Sequence, residues 1–88
     1  MSDEFLLDQL EELANRLGIK VRYESITLEE SSSVGGLCRL KGEYVLIIHA
    51  RAPVKEKIQV MVEVLNRFPL GDIYIRPVIR ELLGKSKD

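Results

Sequence analysis

The side chains of this sequence that could do chemistry are few, and they stand apart along the chain. They are one glutamate inside an apolar segment, Glu63, the single histidine, His49, and the single cysteine, Cys38. A carboxylate acts as a general base when partial burial tunes its proton affinity, and a thiol beside an imidazole can bind metal or act as a nucleophile. A metal site needs more than two ligands, and a cysteine–histidine pair needs a third group to orient it. The sequence therefore shows no complete catalytic constellation.

A helical pattern from Val54 to Phe68 decides where Glu63 points. Its main apolar stripe consists of Val54, Ile58, Met61, Val62, Leu65 and Phe68. Val60 and Val64 widen this stripe to an arc of about 200°, more than a helix needs when it packs on one surface only. Glu63 falls in the middle of the remaining polar arc. The pattern predicts that the Glu63 carboxylate faces solvent.

The width of this apolar arc has two explanations. The first and last helices of the chain can flank the long helix and bury both of its sides. Alternatively, a homodimer buries the extra stripe about a two-fold axis, and Val60 and Val64 are then the residues expected at the dimer interface. The sequence leaves both explanations open.

Cys38 and His49 lie in the two arms of a predicted hairpin, in which Gly42 supplies the positive φ of the turn. A two-residue turn at Lys41-Gly42 would put Cys38 and His49 on one face of the sheet. A three-residue loop that includes Glu43 would put them on opposite faces. Cys38 is predicted to be a small apolar residue of the core, and His49 is predicted to end a strand at the surface.

Charge is divided unevenly along the chain, although the net charge is only −1. Residues 1–33 carry eight acids and three bases, whereas residues 34–88 carry six acids and ten bases. A basic side can meet an acidic protein partner or the acidic first helix of a second copy. The candidate binding residues on that side are Arg39, Lys41, Arg51, Lys55 and Arg76. A net charge near zero, with no recognisable nucleic-acid-binding motif, argues against nucleic acid as the partner.

Local patterns place these residues on helices and strands. Ser2 as the N-cap and Gly18 as the left-handed stop predict a helix over residues 3–17. Alternation predicts a strand over residues 19–25, and the hairpin arms are residues 37–40 and 44–49. The second arm is apolar without interruption, which indicates burial on both faces or a central place in the sheet. A helix over 54–68, an extended piece at 72–75 and a helix from Pro77 closed by Gly84 complete the chain.

The predicted fold class is α+β, in the order α-β-β-β-α-(extended)-α. The sheet is expected to be small and mainly antiparallel, with the helices packed on one face and the place of the first strand left open. Residues 1–84 are predicted to form one domain, and residues 85–88 a disordered tail.

Composition limits the cellular setting of the protein. No apolar run is long enough to span a bilayer, and the acidic N-terminus lacks the features of a signal peptide. One cysteine precludes an internal disulfide and suits a reducing cytoplasm. No cofactor and no metal are predicted.

The stretch Val45-Leu46-Ile47-Ile48-His49, then Pro53, then residues 58–66, resembles the strand-to-helix core of small zinc metallopeptidases of the ImmA/IrrE type. In that family the helix carries His-Glu-x-x-His. Here the matching five positions are Val62-Glu63-Val64-Leu65-Asn66, so the glutamate is present and both histidine ligands are replaced. The resemblance implies a related strand-to-helix scaffold without zinc, because Glu63 alone has no metal-bound water to activate.

A second set of segments, Gly36–Glu43, Pro53 and Asp72–Pro77, is similar to small bacterial proteins that carry no assigned activity. This resemblance implies a fold and no chemistry. The leading hypothesis is therefore a small cytoplasmic protein that acts by non-catalytic binding, through self-association or a protein partner. The alternatives are a degenerate metallopeptidase-like hydrolase that retains Glu63, and a weak nucleic-acid binder.

Overall fold

The computed structural model describes residues 2–25 and 35–85, which form three helices and three strands. In chain order these are α1 (Asp3–Arg16), β1 (Ile19–Glu24), β2 (Gly35–Leu40), β3 (Glu43–His49), α2 (Val54–Leu65) and α3 (Pro77–Lys85). The predicted α+β class and the predicted order of elements are confirmed. The extended piece at 72–75 joins α2 to α3 and belongs to no strand of the described sheet.

The sheet is mixed, with β3 in its centre, whereas a mainly antiparallel sheet was expected. Its order is β1-β3-β2; β1 runs parallel to β3, and β2 runs antiparallel to it. Strand β2 precedes β3 in sequence but lies on the far side of β3 from β1. Leu46 and Ile48 of β3 are 0% exposed. The central position of β3 explains its uninterrupted apolar run, as predicted.

The ends of α1 follow the predicted signals. The Ser2 hydroxyl accepts a hydrogen bond from the Phe5 N–H at 3.1 Å, which satisfies one of the free donors of the first turn. After the last turn, Gly18 has φ of +84°, the left-handed conformation that suits glycine. These two residues fix where α1 begins and where the chain turns into β1.

The hairpin between β2 and β3 has a two-residue turn. Leu40 stands opposite Glu43, and the two residues between them, Lys41 and Gly42, have φ of 51° and 82°. Positive φ at both central positions is the type I′ arrangement, whose twist matches that of the flanking strands. Of the two registers that the sequence left open, the structure has the one that places Cys38 and His49 on the same face.

The helices form two layers on one face of the sheet. Helices α1 and α2 contact the strands, whereas α3 contacts α1 and α2 but none of the described strands. Helix α2 therefore has neighbours on three sides: the sheet, α1 and α3. Val64 is 4% exposed and lies in the core, and Val60 is half-buried at its margin. The single chain thus covers most of the wide apolar arc. Of the two residues predicted at a dimer interface, Val60 is the one that keeps partial exposure.

The chain leaves α2 earlier than the hydrophobic pattern suggests. The N–H groups of Arg67 and Phe68 donate to the carbonyls of Val64 and Leu65, three residues back, which tightens the last turn ahead of Pro69. The side-chain amide of Asn66 then donates to the Leu83 carbonyl at 3.0 Å. This hydrogen bond ties the end of α2 to α3.

The C-terminal boundary differs slightly from the prediction. Gly84 lies inside α3 instead of closing it, and Lys85 is the last helical residue instead of the first residue of a tail. Residues 86–88 of the predicted tail lie outside the described residues. None of the described helices combines the length and the apolar character needed to cross a membrane.

Helix α2 offers a matched pair of substitutions. Met61 is 0% exposed in the core, and Glu63, two positions later, is exposed. Met61→Ala should lower the free energy of unfolding by about 2 to 5 kcal/mol, because it leaves a cavity in the core. Glu63→Ala should change it by less than about 0.5 kcal/mol, because the side chain is exposed. Urea unfolding followed by circular dichroism measures both. A loss with Glu63→Ala as large as that with Met61→Ala would contradict this orientation of α2.

Candidate functional site

One face of the sheet is covered by the helices, and none of the described elements covers the other, which we call the open face. Pairing across β3 shows which side chains point there, because directly opposed residues share a face. The open-face residues are Lys20, Arg22, Glu24, Gly36, Cys38, Leu40, Glu43, Val45, Ile47 and His49. The predicted alternation of β1 is confirmed, since Ile19 is buried on the helix side and Lys20 is exposed on the open face.

Apolar side chains occupy the β2–β3 half of the open face. We call Cys38, Leu40, Val45 and Ile47 the apolar strip. Leu40 is 51% exposed, Cys38 is exposed and Ile47 is half-buried. Val45 is only 5% exposed, because Lys20 and Cys38 stand opposite it on both neighbouring strands. The strip is therefore a shallow apolar surface with one protruding side chain, Leu40.

Charged side chains border the strip along β1. The Lys20 ammonium lies 2.9 Å from a Glu43 carboxylate oxygen, and the Arg22 guanidinium lies 2.7 Å from a Glu24 carboxylate oxygen. All four side chains are well exposed, so each pair adds little to stability. Two bases and two acids neutralise each other. This border consequently favours neither an acidic nor a basic partner.

Cys38 and His49 share the open face but do not meet. Cys38 stands opposite Val45, and His49 lies four residues further along β3, a separation of about 13 Å. The prediction that Cys38 belongs to the core is wrong: its thiol is exposed, because it points to the face without helices. His49 ends β3 as predicted, and its Nδ1 accepts the Arg51 N–H at 3.4 Å.

The predicted basic binding residues do not form one surface. Arg39 lies on the helix side of β2, with its guanidinium carbon 5.3 Å from the centre of the Tyr44 ring. Lys41 is in the hairpin turn at the same end of the sheet. Arg51 and Lys55 follow β3, about 20 Å away along that strand. Arg76, the fifth, immediately precedes α3.

Glu63 is exposed, as the helical pattern predicts. It lies on the side of α2 opposite the buried Met61 and Leu65. Among residues 2–25 and 35–85, no group of three or more histidine, cysteine or acidic side chains is placed to hold a metal ion. Among the described residues, Glu63 forms no ion pair.

A cluster around Tyr23 was not identified from the sequence. Burial raises the pKa of the Tyr23 hydroxyl above its ordinary value of 10.0, and a hydrogen bond to Glu11 and the negative charges of Glu11 and Asp8 raise it further. The Lys57 ammonium lies 5.3 Å from the centre of the Tyr23 ring. The signal available in the sequence was the acidic pair Asp8 and Glu11, three residues apart on one face of α1.

The Tyr23 cluster makes stability sensitive to alkaline pH. The folded protein favours the neutral hydroxyl, so this contribution is complete below about pH 10 and is lost as the pH rises further. Tyr23→Phe should therefore lose less stability than the unmodified protein between about pH 8 and about pH 11. Urea unfolding at both pH values measures the difference. Tyr74→Phe, at a side chain that is 70% exposed, is the control. It should lose as much stability over this pH range as the unmodified protein. An equal alkaline loss with Tyr23→Phe would contradict the assignment.

No family model, no curated protein and no solved structure matches this chain. The resemblance to the zinc metallopeptidase core and that to the small bacterial proteins thus stay predictions from sequence. The described residues themselves offer a shallow apolar strip, a neutral charged border and scattered bases. The open face of the sheet is the surface from which a function can be inferred.

Proposed function

We propose that this chain is a non-catalytic binding module that self-associates through the open face of its sheet. The observation that carries the proposal is the apolar strip, which none of the described elements covers and from which Leu40 protrudes. A second copy presents the same strip, so a two-fold axis can bring apolar surface against apolar surface. Burial of the strip removes apolar area from water, which is the usual driving force of association.

The charge pattern favours a second copy over a strongly charged partner. The pairs Lys20–Glu43 and Arg22–Glu24 leave the border of the strip neutral. The bases expected to meet an acidic partner lie on different parts of the molecule. Association must then rest on the strip itself, and a copy of the same chain is a partner with a matching apolar surface.

The free edge of β2 adds to this surface. Among the described strands, β2 pairs only with β3, so none of these strands uses the outer row of its backbone N–H and C=O groups. The free edge of β1 is flanked by Lys20 and Arg22, and exposed charges of this kind discourage strand addition. The edge next to the apolar strip is the one better suited to a second copy.

The size of the open face sets the strength of association. Three strands of about six residues cover roughly 300 Å² of face. A stable interface buries roughly 800 Å² on each partner. We therefore expect weak, reversible association, with a Kd between about 10 μM and 1 mM. Such a module would act at high local concentration or as part of a larger assembly.

The proposal includes a location in the cytoplasm. The resemblance to small bacterial proteins suggests that this is a bacterial cytoplasm. Cys38 is an exposed free thiol. Thiols of this kind persist in reducing compartments, whereas oxidising compartments convert exposed cysteines to disulfides. Expression in an oxidising compartment would be expected to yield dimers linked through Cys38, and non-reducing electrophoresis would detect them.

Leu40→Lys tests self-association. The substitution removes the protruding apolar side chain and brings like charges together across the interface, so the Kd should rise by at least about tenfold. Sedimentation velocity over a range of concentrations up to about 1 mM measures it. Tyr74→Lys adds the same charge at another exposed side chain, away from the sheet, and should leave the Kd within about twofold.

Two outcomes would contradict the proposal. One is a monomer at every concentration for the unmodified protein. The other is a dimer that Leu40→Lys does not weaken while circular dichroism shows the variant to be folded. In the second case the interface lies elsewhere on the molecule.

A further inference from the structure

A cleft lies between α1 and the start of α3, and self-association through the open face does not involve it. Its volume is about 190 Å³. Leu13, Ile75 and Ile79 form its floor and are 4%, 6% and 2% exposed. Because α3 contacts none of the described strands, the cleft lies away from the open face and is independent of association there.

Charges of both signs stand on the rim of this cleft. Arg16 and Glu12 come from the last turns of α1, and Arg76 immediately precedes α3. The Arg16 guanidinium donates a hydrogen bond to the Tyr74 carbonyl at 3.3 Å, which holds it across the cleft and leaves most of its five N–H groups free. None of these three charged side chains forms an ion pair with another described residue. Their charges are therefore available to a ligand.

The volume limits what the cleft can hold. An apolar cavity of about 150 Å³ accommodates one benzene ring. The cleft has room for one ring or one branched aliphatic group on its floor, with polar groups at the rim. A nucleotide, with a base, a sugar and a phosphate, exceeds this space.

We propose that the cleft binds a free amino acid with an aromatic or large apolar side chain. The side chain lies on the floor formed by Leu13, Ile75 and Ile79. The carboxylate binds between Arg16 and Arg76, because guanidinium groups match the two oxygens of a carboxylate. The ammonium group binds Glu12.

The mixture of charges selects this ligand class over simpler ones. An anion without an amino group would leave Glu12 without a partner, and the two negative charges would repel each other. A cation without a carboxylate would be repelled by Arg16 and Arg76. A zwitterion satisfies both signs. The start of α3 acts in the same sense, because the positive end of its helix dipole favours the carboxylate beside Arg76. Tyr74, which is 70% exposed, stands at the rim where its ring can cover the ligand.

Nuclear magnetic resonance titration of the full chain tests the assignment with three probes. The probes are L-phenylalanine, 3-phenylpropionate, which lacks the amino group, and phenethylamine, which lacks the carboxylate. A ligand of about a dozen heavy atoms should bind with a Kd of about 1 to 10 mM. The amide resonances of Gln9, Leu13 and Ile79 should shift, and each truncated probe should bind at least about threefold more weakly than phenylalanine.

Two rim variants separate the roles of the charges. Glu12→Gln should raise the Kd of phenylalanine by about threefold to fivefold and should not raise the Kd of 3-phenylpropionate. Arg76→Gln should raise the Kd of phenylalanine and of 3-phenylpropionate, and it should not raise the Kd of phenethylamine. Arg51→Gln, which removes a charge far from the cleft, is the matched control and should change none of the three affinities.

The proposal is overturned if no probe shifts the cleft resonances at concentrations up to about 50 mM, well above the expected Kd. It is also overturned if 3-phenylpropionate binds as tightly as phenylalanine and Glu12→Gln has no effect, because the cleft would then be a simple anion site. Exposed substitutions such as Glu12→Gln leave the core unchanged, so a failure to bind cannot be attributed to unfolding. Neither result bears on self-association, which Leu40→Lys measures separately.

Discussion

Leu46 and Ile48 of the central strand and Met61 and Leu65 of α2 are buried in one apolar cluster, and the position of every other element follows from that contact. Because β3 has a strand on each side, α2 must pack across the sheet rather than at its edge. Helices α1 and α3 then pack against α2. This arrangement directs Glu63 outward and concentrates all three helices on one side of the sheet.

The same constraint produces the open face. A chain of this length has enough apolar side chains for one core, and the helices pack theirs on the face of the sheet where α2 lies. The other face keeps only the residues that alternate out of the strands. They are apolar on β2 and in the middle of β3, and they are charged along β1 and at Glu43, so this face is an asymmetric surface.

Sequence patterns predicted the features that depend on local geometry. The breadth of the apolar arc on α2, the helix cap at Ser2 and the positive φ of Gly42 are all set by neighbouring residues, and all three are confirmed. The exposure of Cys38 could not be predicted, because it depends on which face of β2 the helices cover. Arg39, one residue later, points to the helix side and packs on Tyr44, so the hydrophobic pattern of β2 misleads. The Arg16–Tyr74 contact, which joins residues 58 positions apart, has no signal in a single sequence.

The turn at Lys41 has a consequence for how the hairpin is held together. With φ of 51°, Lys41 occupies a conformation that asparagine, aspartate or glycine adopts more readily. A lysine there costs about 1 kcal/mol of local strain, which the turn itself does not recover. The pairing of β2 with β3 therefore draws part of its stability from Leu37 and Leu46, which stand opposite each other and pack against the core. We therefore expect residues 35–49 not to hold this register as an isolated peptide, because a two-stranded hairpin alone is at best marginally stable in water.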